Sequence, residues 1–271
     1  MDKISSPLVS VCIPTYNGEK FISEALSSVF SQTYPNLEIV VSDDASKDRT
    51  LAIVEEALKK QTVPWQIIHH QPSGIGANWN NCVKNARGKY IKFLFQDDAL
   101  ESTCVEKMVA LAEKDRRIGL VFSKRNFIYG VRSDFFDEWI PKFSDVHLHW
   151  KSLVEINSGR RLLADCPDLL STPMNKVGEP PAVLLRADIF RKTGYFNEAL
   201  VQVLDYEFWY RVFKYFKIGF IDEYLVNFRL HGNQTTQHNI GNRDDYKIYE
   251  RVIYKNFFWL LHPSVQKRLI R

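Results

Sequence analysis

Two pairs of adjacent carboxylates stand where apolar runs end. Asp43 and Asp44 follow Ile39, Val40, Val41 and Ser42, and a turn-forming stretch, Ala45-Ser46-Lys47-Asp48, comes next. Carboxylates at such a place can accept hydrogen bonds from a ligand's ring N–H or hydroxyl groups. The structural alternative is a helix N-cap, which Asp48 or Ser46 could supply; it accounts for one acidic residue but not for the pair one step earlier. Asp97 and Asp98 close the second run, Phe93-Leu94-Phe95-Gln96. Two like charges side by side repel, and Mg2+ or Mn2+ would relieve that, since hard cations are held by a few carboxylates plus a substrate's phosphate oxygens. Here too the alternative is a cap, for a helix starting near Glu101, which needs only one acid. A fifth carboxylate, Asp205, precedes Tyr206-Glu207-Phe208-Trp209-Tyr210-Arg211, the start of an amphipathic helix. The helix dipole there favours the ionised form. An ionised carboxylate can take the proton of an attacking hydroxyl; the same position also suits a plain helix cap.

The elements that would hold these residues follow a regular order. Apolar runs at 8–14, 37–42, 65–70 and 90–95 read as strands, with helices across 19–32, 48–60, 77–86 and 101–114, and 118–129 is extended. Strands alternating with helices of about three turns signal βαβ units and a Rossmann-like, mostly parallel central sheet flanked by helices. Ligands in such α/β sheets bind beyond the carboxyl ends of the strands, where the acidic pairs lie. After Gly130 the regularity fails: 131–181 is rich in aromatics and Pro without a clean period. A strand at 182–186, a helical turn at 187–192, a helix at 205–215 and an extended stretch at 218–229 follow. Residues 246–261 have helical spacing, with Tyr246, Tyr249, Val252, Ile253, Phe257, Leu260 and Leu261 on one side and Lys247, Arg251 and Lys255 largely between them. Such a helix suits an anionic membrane interface or, equally, a helix packed on the domain.

Composition bounds the class. At 271 residues, 45% apolar and 25% charged, the chain can hold one large α/β domain with a modest appendage. No apolar run approaches the ~18 residues of a spanning helix, and residues 1–7 lack a signal-peptide core, so the expected location is cytoplasmic, with peripheral contact at the inner membrane face open to the tail. Cys12, Cys82, Cys104 and Cys166 are scattered singly, as small buried hydrophobes rather than a disulfide or zinc framework. In that setting the sequon Asn233-Gln234-Thr235 is a chance match. Residues 242–271 carry seven Lys/Arg against three Asp/Glu, whereas the rest balances at 29 of each. A neutral body argues against a nucleic-acid-binding face.

Several segments together resemble the family 2 glycosyltransferases. They are Val9-Ser10-Val11-Cys12-Ile13-Pro14-Thr15-Tyr16-Asn17, Val40-Val41-Ser42-Asp43-Asp44-Ala45-Ser46-Lys47-Asp48, Ala86-Arg87-Gly88-Lys89-Tyr90-Ile91 and Gln96-Asp97-Asp98. The likeness is close over about 7–125, thins through 130–180, and returns at Pro180-Pro181-Ala182, Gly194-Tyr195-Phe196, Leu204-Asp205-Tyr206-Glu207-Phe208-Trp209 and Phe228-Arg229-Leu230-His231. Each segment alone is a weak signal; their order and spacing make the match.

The resemblance implies a GT-A-type fold at 1–240, with a nucleotide-sugar half at about 1–130, an acceptor half at about 131–240, and a C-terminal helical tail at 241–271. It implies a metal-dependent transfer, with inversion, from a nucleoside-diphosphate sugar, UDP- or dTDP-linked, to a hydroxyl of a carbohydrate or lipid-linked acceptor, as in cell-surface polysaccharide or glycolipid synthesis. Carried over by position, Pro14 and Tyr16 line the nucleotide base and Asp44 accepts its imide N–H. Asn80 lies near the nucleotide, Asp97 near the ribose, Asp98 binds the metal (Mn2+ or Mg2+), His231 completes the metal–diphosphate site, and Asp205 is the catalytic base. The chain departs from the usual Asp-x-Asp pattern, with Gln96 where an Asp often precedes the pair. His69, His70, His147 and His149 lack companion ligands and are assigned to strand or loop.

Competing readings fare less well. A nucleotidyltransferase would show a Gly-rich phosphate loop after the first strand, where this chain has Pro14-Thr15-Tyr16-Asn17-Gly18. A nicotinamide-dependent oxidoreductase fails because Gly74-Ile75-Gly76 lacks the third glycine and follows the third strand. A catalytically inactive nucleotide-sugar-binding module of the same fold would keep donor affinity and lose nothing on Asp205→Asn.

Overall fold

The structure, a computed structural model, describes residues 6–129, 134–232 and 243–270. The first half is laid out as the periodicity predicts: β1 (Val9–Thr15), α1 (Ile22–Phe30), β2 (Leu37–Asp43), α2 (Thr50–Leu58), β3 (Trp65–His69), α3 (Ile75–Asn85), β4 (Tyr90–Phe93). The short β5 (Ala99–Leu100), α4 (Cys104–Glu113) and the long β6 (Ile118–Tyr129) follow. Every residue of β1, β2 and β4 is buried, because helices cover both faces. The side chains still alternate: Val9, Val11 and Ile13 of β1 and Ile39 and Val41 of β2 join the core under α1, α2 and α4. Cys12 and Val40 point the other way, into a second core with α3. This period of two within a continuous apolar run is what a doubly covered sheet requires.

The second half completes the same sheet. It supplies α5 (Asp134–Phe143), β7 (Ile156–Ser158), α6 (Gly159–Asp165), β8 (Val183–Arg186), α7 (Phe190–Thr193), α8 (Leu204–Phe213) and β9 (Lys217–Leu230). The strand order is β3-β2-β1-β4-β8-β6-β9-β5, with β7 also on β9. Pairings among β3, β2, β1 and β4 are parallel; β8 is antiparallel to both β4 and β6, and β9 is parallel to β6. β5 and β7 run against β9. The sheet is therefore mixed but mostly parallel. Strand order reverses between β1 and β4, and the crevice at their carboxyl ends is the switch point where α/β sheets bind ligands. The short α5 and α6 lie where the sequence showed no period. α6 has only seven residues, and α5 carries an internal Pro141, so neither builds a long amphipathic repeat.

The tail forms α9 (Arg243–Phe257) and α10 (Pro263–Leu269). Tyr249, Ile253, Phe257, Leu261 and Val265 are buried in the same core as Tyr206, Phe208 and Trp209 of α8. Asp245 accepts hydrogen bonds from the backbone N–H groups of Val201 (2.9 Å) and Gln202 (2.5 Å). The apolar face that the sequence offered to a lipid surface thus lies inside the protein. Tyr254, Trp259 and Ile270 remain outside, Trp259 at 87% exposure. No helix among the described residues is long and apolar enough to cross a membrane. All four cysteines are buried and unpaired, as read from their spacing. The sequon at 233–235 and the expected boundaries at 130/131 and 240/241 lie outside the described residues.

Candidate active site

The loops after β1 and β2 are tied to each other. Asn17 N donates to Ser46 Oγ (2.9 Å), Lys47 N to Asn17 Oδ1 (2.8 Å), Glu19 N to Asp48 Oδ2 (3.0 Å) and Gly18 N to Thr50 Oγ1 (2.7 Å). Asn17 and Ala45 hold positive φ, 48° and 62°, and for Ala45 that is a strained conformation that the surrounding bonds must maintain. The two acids after β2 divide their work. Asp43 is fully buried and consumed locally, accepting from Thr15 Oγ1 (2.9 Å), Ser46 Oγ (2.5 Å) and Ser46 N (2.9 Å). Asp44 keeps some exposure, and His70 Nδ1 donates to its Oδ1 at 2.9 Å. His70, which the sequence reading set aside, immediately follows β3, so the rule that flagged the acids at strand ends would have flagged it too.

Tyr16 is 54% exposed at the β1 end, and Pro14 is buried within the strand. Gln96 spans the switch point from the β4 side: Tyr16 N donates to its Oε1 (2.9 Å), and its Nε2 donates to Tyr16 O (3.0 Å). The residue that replaces an acid of the usual pattern thus clamps the loop presenting Tyr16.

The acids beyond Gln96 face different surroundings. His231, just past β9, has Nε2 at 2.9 Å from Asp97 Oδ2, and both side chains are about one-fifth exposed. Asp98 is 1% exposed, and its Oδ1 accepts from Arg229 N (2.8 Å), while its Oδ2 is buried without a hydrogen-bond partner. Burial, reinforced by the neighbouring Asp97 charge, pushes the Asp98 carboxyl well above the usual range, against the Arg229 N–H. Of the two acids, it is Asp97 and not Asp98 that His231, the other residue expected at the metal, meets. Arg229 fastens the turn, donating from Nε to Asp97 O (2.9 Å) and pairing with Glu24 of α1 (2.5 Å).

Asn80 has its side chain engaged within the protein. It is buried in α3; its Nδ2 donates to Phe196 O (2.9 Å) and Glu198 Oε1 (2.8 Å), and its Oδ1 accepts from Phe196 N (2.9 Å). Those bonds fasten the 196–198 segment to α3. Two residues earlier, Asn78 donates to Thr15 O (3.4 Å) at the β1 end and leaves a buried Oδ1 unpartnered.

Asp205 lies in the first turn of α8, as predicted, and is 8% exposed. Its Oδ1 accepts from Tyr206 N (2.8 Å) and its Oδ2 from Asn175 Nδ2 (2.8 Å). Burial pushes its pKa up to about 7; the Tyr206 N–H opposes that, the nearby Glu179 adds to it, and Arg125 lowers it. Glu179 is itself paired with Arg125. Glu207 has another use: it is bound by Arg211 through two 2.8 Å hydrogen bonds. The Glu179 charge acts on both Asp98 and Asp205, so the β4 turn and the start of α8 share that neighbour.

Among the described residues no group of three or more His, Cys, Asp or Glu side chains could enclose a metal ion. Asp97 with His231 fits a divalent cation that takes the rest of its ligands from a diphosphate, the usual arrangement for Mg2+ and Mn2+.

A mixed α/β sheet of this strand order, with its carboxylates gathered beyond the strand ends, is the architecture of GT-A glycosyltransferases. The chain belongs to glycosyl transferase family 2, whose model matches residues 10–163, and it is a glycosyltransferase of class EC 2.4. It is 30% identical to an uncharacterized glycosyltransferase of Rickettsia prowazekii (strain Madrid E) over 252 residues, 90% of this chain and 70% of the relative. It is 32% identical to an uncharacterized protein of Mycobacterium tuberculosis over 209 residues, 77% of this chain and 62% of the relative. Of a rickettsial relative from Rickettsia felis it spans 40%. Among solved structures, S. aureus TarS 1-349 in complex with UDP-GlcNAc superposes with TM-score 0.72 at 20% identity, over 97% of this chain and 72% of that one. The mannosyltransferase PcManGT from Pyrobaculum calidifontis in complex with GDP-Man and Mn2+ gives 0.67 at 14%, over 98% and 70%.

Proposed function

We propose that the protein transfers a sugar from a uridine- or thymidine-diphosphate donor to an acceptor hydroxyl, inverting the anomeric centre, with Asp205 as base and a divalent cation at Asp97 and His231. What supports this reading most is the Asp97–His231 pair just beyond the β4 and β9 strand ends in a family 2 chain, together with the buried Asp205 carboxyl at the start of α8, whose pKa is pushed up to about 7. Residues 1–130 would hold the donor and 131–240 the acceptor. Tyr16 and Pro14 line the base, Tyr16 offering an exposed ring for stacking. Asp44, held by His70, accepts the imide N–H. Asp98 shapes the turn beneath Asp97 rather than meeting the cation. A divalent cation at this site would neutralise charge on the departing nucleoside diphosphate. Asp205 takes the proton of the acceptor hydroxyl as that oxygen bonds to the anomeric carbon, and the bond from that carbon to the diphosphate oxygen breaks on the opposite face. A carbohydrate or lipid-linked acceptor in cell-surface polysaccharide or glycolipid synthesis suits the reading. Any contact of the tail with an anionic lipid surface falls to Tyr254, Trp259 and Lys255, since the helix's apolar face is buried.

Thermal shift tests the donor and cation assignments. UDP with Mn2+ is expected to raise the melting temperature more than the sum of UDP alone and Mn2+ alone. Asp97→Ala should erase the Mn2+ increment with little change in the unliganded protein, whereas Asp98→Ala should lower the unliganded melting temperature itself. GDP or CDP outdoing UDP would overturn the uridine assignment.

A further inference from the structure

The segment before β8 presents one amide to the base. Asn175 Oδ1 accepts from Val177 N (3.0 Å) and Gly178 N (2.9 Å), and its Nδ2 donates to Gly178 O (3.1 Å) and Asp205 Oδ2 (2.8 Å). Two backbone donors on one end of the amide fix which end is oxygen, so the NH2 has to face the carboxylate. Gly178 makes the turn with φ of +118°, a conformation L side chains rarely adopt. The same segment is held to α8 at further points: Trp209 Nε1 donates to Gly178 O (3.0 Å) and Tyr210 OH to Met174 O (2.5 Å). Trp150 Nε1 donates to Lys176 O (2.7 Å) from a separate element. An amide so fixed is pre-organised for the helix it addresses.

We propose that Asn175 is the positioning residue of the base, its locked Nδ2 holding the Asp205 carboxylate in one orientation and favouring its ionised form. This rests on Asp205 as base, but the amide's role is separable from it. A donor on a carboxylate stabilises the anion and not the acid. Without it, the Tyr206 N–H would be left to oppose burial, with the facing charges added to the balance. Those charges are Glu179 ahead of β8, which holds the proton on, and Arg125 of β6, which takes it off. Tyr206 and Tyr210 of α8 and Tyr246 of α9 also lie in range, and burial raises each above the ordinary phenol value, so they stay neutral between pH 5 and pH 9.

The test is a 13C-carboxyl NMR titration of the full chain labelled at aspartate, with the Asp205 signal identified by its loss in Asp205→Asn. Asn175→Ser keeps a smaller acceptor for Val177 and Gly178 and cannot reach Asp205, and Asn175→Ala removes the amide altogether; neither adds a charge beside the carboxylate. In each variant the Asp205 midpoint is expected to rise by about one pH unit or more, while the thermal shift produced by UDP stays at the wild-type value. UDP release from the donor sugar should fall at pH 7 by a factor on the order of 10 to 100 and recover toward pH 9. An unmoved Asp205 midpoint in either folded variant overturns the proposal, since a residue serving only the turn would leave it in place. Normal turnover by Asp205→Asn sinks the base assignment instead, and the NMR titration reads independently of that outcome.

Discussion

Asp205 faces opposing demands at the scale of a single side chain. A base shielded from water must not be trapped by stray protons, yet burial itself raises its affinity for one, here to about 7. Only the ionised form can accept the hydroxyl proton, so kcat/KM should be full above that value and fall tenfold per unit as pH drops below it. A profile of UDP release against pH on the free enzyme checks this, and an acid limb lying below pH 5 would contradict it. Asp205→Asn should remove transfer by a factor on the order of 10² to 10⁴ while UDP still binds. The neighbouring acids follow the same logic. Asp97, partly exposed on His231, is available to a ligand, whereas Asp98 has one oxygen on a backbone N–H and the other sealed in the protein.

At the scale of elements, the cleft depends on how β1, β2 and β4 are joined. The Ala86-Arg87-Gly88 turn does this where β4 begins. Glu38 of β2 accepts from Ser10 Oγ (2.5 Å), Arg87 N (2.7 Å) and Arg87 Nε (2.8 Å), and Gly88 N donates to Ser10 Oγ (2.8 Å). Burial opposes ionisation of Glu38, but these bonds outweigh it and hold the carboxyl below its ordinary value. Its contribution to stability is therefore present above the ordinary glutamate range and lost as pH falls through its lowered folded value. A Cβ on Gly88 would stand 2.6 Å from Ser10 N and 2.7 Å from Tyr90 O, contacts with backbone that cannot swing away. Gly88→Ala is expected to cost about 1–3 kcal/mol and several degrees of melting temperature. An unchanged melting temperature would show that the turn yields. The motif is thus a joint between strands.

Across the whole molecule, the C-terminal tail belongs to the core and carries a small exposed aromatic cluster outside it. Tyr254 meets Phe258, and Phe258 meets Trp259, at ring separations of 5.3 and 5.0 Å. Phe257, one residue earlier, is 1% exposed and takes Lys214 over its ring. Phe257→Ala should cost about 3–5 kcal/mol and lower the melting temperature by roughly 10 °C. Trp259→Ser should leave the melting temperature within about a degree, because an exposed side chain carries little packing. Sedimentation with anionic liposomes then reads the outer cluster alone. Salt-sensitive binding lost in Trp259→Ser would support lipid contact, and equal, negligible sedimentation of both proteins would remove it.

The sequence by itself determined the parts that depend on local pattern. The runs 8–14, 37–42 and 90–95 read as strands because they are short, β-branched or aromatic, and bounded by turn residues, and strands lie there within a residue or two at each end. With the strand ends located, Asp43, Asp44, Asp97 and Asp98 fell at the binding edge, and Asp205 at a helix start, before any contact was known. Choosing between adjacent acids needed the tertiary structure. Arg229 and His231 arrive from β9, more than 130 residues away in the chain, and their places decide that Asp98 turns inward and Asp97 outward. Asn80 and Asn175 are equally opaque in sequence, since an amide takes its meaning from the partners brought to it. The first is spent on Phe196 and Glu198; the second addresses Asp205. The tail shows the same division. Helical spacing requires that the Tyr249–Ile253–Phe257 face be covered by something apolar, but a periodic stripe carries no record of whether lipid or protein covers it. Only the packing of α8 against that stripe decided the matter, because burial is a property of two surfaces and the sequence of a helix describes one.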